Sequence, residues 1–149
     1  MIVGFLYERL HTRNLADFGG LAKVTPMMAI AFMIVTLSSI ALPGTNGFVG
    51  EFAILLGTFQ VQPIIASICG LGVIFGAIYS LRAYQMVMLG PLNKHENKSI
   101  TDLNCREIMA MSILAIFIFA IGFFPQSFFG KSHATLDFYV SNLLTHLGR

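Results

Sequence analysis

Residues 26–60 read PMMAIAFMIVTLSSIALPGTNGFVGEFAILLGTFQ, and this stretch decides the fold. It holds 35 residues and one formal charge, Glu51. A straight helix of that length would measure about 52 Å at 1.5 Å per residue. The hydrocarbon layer of a bilayer is only about 30 Å thick. LPGTNG, residues 42–47, stands in the middle of the stretch. Proline removes a backbone donor and clashes with the preceding turn, while glycine and asparagine favour turns. The pattern predicts one discontinuous transmembrane helix over 26–60, with a plain Pro-kinked helix or a tight hairpin of two short helices as the other readings. The half-helices cover about 26–41 and 47–60, and they are broken at 42–46 with Pro43, Gly44, Asn46 and Gly47 supporting the break.

Unwound backbone at membrane depth is tolerated only where it is buried in protein or lines a watery cavity. A half-helix start offers free N–H groups and positive dipole, and a half-helix end offers free carbonyls. Transporters use such breaks as ion sites. Glu51 falls in the opening turns of the second half-helix, among Phe48, Val49, Phe52 and Ile54. A carboxylate near the bilayer centre costs on the order of 2.5–3.5 kcal/mol on insertion scales, which the apolar neighbours offset. Two effects compete over its proton: loss of water favours the neutral acid, and the helix start favours the anion. Such a balance suits a group that loads and releases protons. The other reading is a permanently protonated glutamate bonded to a neighbouring helix.

The rest of the chain extends the same pattern. The 149 residues are 56% hydrophobic and 11% charged, with a mean hydropathy of +0.77; soluble domains carry roughly 25% charged residues. Nine basic and seven acidic side chains cannot coat a globule of this composition, which argues against a soluble enzyme. The apolar fraction excludes disorder, and two cysteines exclude a disulfide scaffold. The net charge of +2 is too small and too scattered to argue for nucleic acid. What remains is an all-α integral membrane protein.

Two further apolar runs, one with Arg82 as its single charge and one with none, predict transmembrane helices over 63–89 and 108–124. Residues 1–7, MIVGFLY, are too short to span and read as the end of a transmembrane helix whose beginning is missing. Loops are expected over 8–25 and 90–107. Two crossings separate them, so they share one side, and they hold Arg9, Arg13, Lys23, Lys94, Lys98 and Arg106. The opposite side holds Lys131 and Arg149. The positive-inside rule therefore makes both loops cytoplasmic, or on the organellar equivalent of that side, and puts the C-terminal tail on the opposite, outer face. Arg82 lies near the cytoplasmic end of its helix, where it can snorkel to the interface. In the tail, Leu136, Val140, Leu143, Leu144 and Leu147 share one helical face, which predicts an amphipathic surface helix over 131–148.

Other signals are weaker. Cys69 and Cys105 have no CxxC spacing, and His11, His95, His133 and His146 fall in polar segments, so no metal site is expected. Gly72 and Gly76 stand at GxxxG spacing and would let another helix approach closely. There is no catalytic Ser/His/Asp set, phosphate loop or redox-centre motif.

ALPGTNGFVGEFAILLGTFQ (41–60), with GGLAKVTPMMA before it, resembles the chain M, or subunit 4, family of antiporter-like membrane subunits of proton-pumping NADH:quinone oxidoreductase, respiratory complex I. LYERLHTR (6–13), YSLRAYQMVMLG (79–90) and GFFPQ (122–126) share the likeness, which runs from about residue 6 to the C-terminus. The LPG…GFVGEF part is the most specific.

The resemblance implies an antiporter-like bundle of two inverted repeats, each with one broken helix, of which 26–60 would be the second. It implies that Glu51 is the glutamate at the outer end of the proton path; sister subunits and related cation/proton antiporters usually carry lysine there. It also implies that NADH, FMN, iron–sulfur clusters and quinone are bound elsewhere in the complex, with no cofactor in this chain. Neighbouring antiporter-like chains, other membrane subunits and the lipid bilayer are the implied partners. The family protein is longer, and its first-repeat lysine and glutamate and its central lysine have no counterpart here. The chain is thus expected to be a C-terminal piece or a shortened product that does not pump alone. Two alternatives stand beside proton translocation: a membrane scaffold whose tail clamps a neighbour, and a subunit of a cation/proton antiporter.

Overall fold

A computed structural model describes residues 1–92 and 100–130. The amphipathic helix expected over 131–148 lies outside the described residues, as do Lys94, His95 and Lys98. Five helices carry the fold: α1 (Ile2–Leu10), α2 (Pro26–Ser39), α3 (Asn46–Val61), α4 (Pro63–Tyr84) and α5 (Cys105–Phe123). A π-helical turn, Gln85–Leu89, extends α4, and a short helical stretch follows α5 over 125–130. No strand occurs among the described residues.

Proline sets two of the starts. Pro26 and Pro63 each open a helix, where the missing N–H is no loss and the fixed φ is already helical. Pro63 also keeps Gln62 out of the helical region, at φ −141° and ψ 83°. One residue thus separates α3 from α4, and the chain reverses there. Pro63–Leu89 and Cys105–Phe123 are each long and apolar enough to cross a membrane.

The half-helices α2 and α3 measure about 21 Å and about 24 Å, and α4 with its π-turn about 40 Å. The two pieces match α4 in height because the start of α3 lies beside the end of α2. α4 runs antiparallel to both. The Tyr84 hydroxyl donates to the Ala29 carbonyl at 3.3 Å, and its ring meets Phe32 edge-on at 5.5 Å.

The buried core gathers at one end of the bundle, around Leu6, Leu21, Met28, Val87, Met88 and Leu103. Elsewhere α4 and α5 present large apolar side chains outward, among them Ile68, Phe75, Ile116 and Phe123. A helix that is apolar all round belongs in lipid or among other membrane helices.

An ionic knot ties the core end. All five guanidinium donors of Arg9 are used. Two run in parallel to the Glu107 carboxylate, at 3.2 and 2.7 Å. The others reach the carbonyls of Phe5, Thr101 and Asp102. The Asp102 carboxylate accepts the N–H groups of Met27 and Met28 at 2.9 and 3.1 Å, capping α2 from 75 residues away. Glu107 also accepts the Asn104 N–H at 2.7 Å and completes a capping box on α5. Arg9 therefore holds the end of α1 against the start of α5 and the residues before it, and Gly20 lies against Gly90 and Leu92. The segments expected as two loops meet at one end of the bundle. α1 continues to Leu10, three residues past the expected helix end, and closes on His11, whose N–H donates to Tyr7.

Glu107 precedes the uncharged run that begins at Ile108. The hydrogen bond from Arg9 lowers its pKa below the ordinary carboxylate value of 4.5; burial opposes this, and the Asn104 N–H and the Arg9 charge add to it.

Candidate functional site: the helix break and its groove

Backbone geometry shows how α2 stops. Leu42 N–H reaches the Leu37 carbonyl at 3.1 Å, and Ala41 N–H reaches Ser38 at 3.3 Å. With Ala41 at φ +55°, these bonds form a Schellman cap. Glycine usually takes that left-handed position. Unwinding therefore begins at Ile40, ahead of the expected Leu42, and helix resumes at Asn46.

A tight turn follows. The Leu42 carbonyl accepts both the Thr45 N–H at 3.1 Å and the Thr45 hydroxyl at 2.7 Å. Pro43 and Gly44 stand between, with Gly44 at φ +94°, the residue order and φ of a type II turn. Thr45 is buried at 2% exposure.

The start of α3 is then fixed against the end of α2. The Ser38 hydroxyl donates to the Asn46 side-chain oxygen at 2.7 Å. Gly47 lies so close to the Ser38 carbonyl that no side chain would fit. On the other flank, Gly122 of α5 presses on the Gly44 carbonyl and the Thr45 backbone. The break is thus held by backbone approach on two sides. Pro43 and Gly44 sit within it, and Asn46 and Gly47 are the first two residues of α3, directly after it. Thr45 falls inside the expected break without being named among its supports, while Ser38 and Gly122, which also pack against the break, lie outside the expected stretch. Of these two only Ser38 left a trace, as a hydroxyl one turn before the break.

Glu51 is the sixth residue of α3, about 7.5 Å along the helix from Asn46. It is half-buried. It lines an open groove of about 380 Å³ between α3, α4 and the end of α2. Ser39, Cys69 and Tyr79 share the groove with it, and Gly72 and Gly76 form part of its floor. These α4 residues belong to the middle turns of a 27-residue apolar helix. Among the described residues, the Glu51 carboxylate has no hydrogen bond or ion pair. The glycine pair expected to receive a neighbouring helix receives none among the described residues: a side-chain carbon added at Gly72 would meet nothing within 4 Å.

Comparison with known proteins agrees with this architecture. A family model described as NADH:quinone oxidoreductase/Mrp antiporter, TM matches residues 1–79. NADH-quinone oxidoreductase subunit M of Rickettsia typhi is 49% identical over 112 residues, which cover 75% of this chain and 23% of the relative. NADH-ubiquinone oxidoreductase chain 4 of Marchantia polymorpha is 40% identical over 109 residues, covering 73% and 22%. Among solved structures, a chain of respiratory complex I from Thermus thermophilus with bound NADH matches with a TM-score of 0.76 at 34% identity. That match covers 86% of this chain and 27% of the other. The chain spans about a quarter of the length of the relatives it matches.

Proposed function

Because the chain belongs to the NADH:quinone oxidoreductase/Mrp antiporter membrane family, we propose that it forms part of a proton-translocating membrane subunit of NADH:quinone oxidoreductase, with Glu51 as a proton carrier. One observation carries the reading. A carboxylate without a protein partner among the described residues stands in a groove next to unwound backbone, halfway along apolar helices. A carboxylate so placed needs water or a proton to satisfy it, and exchanging the two is what transport requires.

In this reading the redox chemistry belongs to other subunits, which hold NADH, FMN, iron–sulfur clusters and quinone. Quinone reduction changes the hydration and charge around a buried row of ionisable groups, and Glu51 takes a proton from the interior and releases it outward. Other membrane subunits, including antiporter-like chains, flank this one in the bacterial inner membrane. The end of the bundle carrying Arg9, Asp102 and Glu107 faces the cytoplasm, supported by the basic residues gathered there. The resemblance to subunit M and chain 4 favours this function over that of a separate cation/proton antiporter.

The test replaces Glu51 in the assembled enzyme. Glu51→Gln should leave the complex assembled and NADH oxidation by an artificial acceptor unchanged, while proton uptake into vesicles falls. Glu51→Asp should retain part of the uptake. Equal uptake in wild type and Glu51→Gln would refute the carrier role.

A further inference from the structure

We propose that Tyr79 is the proton-transferring partner of Glu51 across the groove, an inference that rests on the carrier role of Glu51. Both side chains line the same cavity, one from α3 and one from α4. Cys69, Gly72, Gly76 and Tyr79 recur every three or four residues along α4 and so form one stripe of that helix. Long side chains on a helix lean toward its N-terminal end. The Tyr79 ring does so and lies over Gly76, with its edge 3.8 Å from where a side-chain carbon there would sit. The absence of side chains at Gly72 and Gly76 leaves the space between the phenol and the carboxylate open.

Water is the medium that suits this space. The groove measures about 380 Å³, against roughly 30 Å³ per molecule in liquid water. Ser39, Glu51 and Tyr79 supply the polar groups that hold such water, and the Tyr79 hydroxyl has no hydrogen bond among the described residues. A phenol both donates and accepts, so it passes a proton without holding a charge. The Glu51 O–H bond breaks as a groove water takes its proton. The water delivers one proton to the Tyr79 oxygen while the phenolic proton passes to a second water on the far side. Rotation of the hydroxyl resets the tyrosine with no change of its charge, and Glu51 stays a carboxylate until the interior supplies its next proton.

The assembled enzyme in vesicles provides the test, with three variants and a labelling experiment. Tyr79→Phe keeps the ring and removes the proton; Tyr79→His keeps a proton-transferring ring of poorer shape. A relay role predicts a several-fold loss of proton uptake in Tyr79→Phe and partial recovery in Tyr79→His. Wild-type uptake in Tyr79→Phe, or equal loss in both variants, would overturn it. Glu51→Gln separates the two readings. If that variant pumps normally, the carrier role itself fails. If it is impaired and Tyr79→Phe is not, only the role of Tyr79 fails. Cys69 reports on the water directly: in the assembled enzyme it should react with a charged methanethiosulfonate. Reaction only with an apolar maleimide would mean a dry groove and would equally overturn the relay.

Discussion

Gly122, near the end of α5, lies directly against the Gly44 carbonyl in the break between α2 and α3. A methyl group added there would meet backbone, which cannot turn aside as a flexible side chain can. Overpacking in a close-fitted interior costs about 1–3 kcal/mol. Gly122→Ala is therefore expected to lower the melting temperature of the protein in detergent and to reduce proton uptake, although residue 122 is far from Glu51 in sequence. Gly47→Ala, against the Ser38 carbonyl, should do the same. Unchanged melting in both variants would contradict the described packing of the break.

Ala41 offers the opposite experiment. Its φ of +55° places an L-residue in the left-handed region, at the Schellman position that glycine prefers. The left-handed conformation costs roughly 1–2 kcal/mol for a residue with a Cβ, part of which the greater freedom of unfolded glycine returns. Ala41→Gly should raise stability by about 1 kcal/mol, read as a higher melting temperature. A decrease would mean that the methyl group makes contacts worth more than the strain.

Asp102 is expected to act as a distant cap rather than a loop charge. It accepts two N–H groups at the start of α2. Removing a capping side chain costs about 0.5–2 kcal/mol. Asp102→Ala should therefore be more destabilising than Asp102→Asn, which keeps one acceptor oxygen and loses the charge facing the helix dipole. Thermal unfolding of the two variants side by side gives the order.

The Arg9–Glu107 pair makes stability depend on pH in a defined sense. The pKa of Glu107 is lowered in the folded protein from its ordinary value of 4.5. Its contribution is therefore fully present above about 4.5, the unfolded value, and is lost as pH falls through the lowered folded value. Melting temperature should decline over that acidic range in wild type and decline less in Glu107→Gln. Identical pH profiles would argue that the pair contributes nothing.

The break was legible in the sequence because its causes are local. Pro43 and Gly44 demand a turn wherever they stand together, and Pro26 and Pro63 mark helix starts through their own covalent geometry. Glu51 stood out as the one charge between Lys23 and Arg82. The parts that escaped notice are contacts between distant segments. Nothing in the composition around Asp102 says that it caps a helix 75 residues away, and nothing around Gly122 names Gly44 as its neighbour. Arg9 and Glu107 were legible as charges at the ends of hydrophobic runs, but their pairing arises only once α1 and α5 are brought together. Ala41 was missed for a different reason: alanine favours a right-handed helix, and the packing of the break overrides that preference.

The most direct measurement is the number of protons moved per NADH oxidised by vesicles containing the complete enzyme with Glu51→Gln. A carrier role predicts a lower ratio, or coupled turnover slowed with it, in an enzyme that still assembles and still oxidises NADH with an artificial acceptor. A wild-type ratio at wild-type coupled turnover would contradict it.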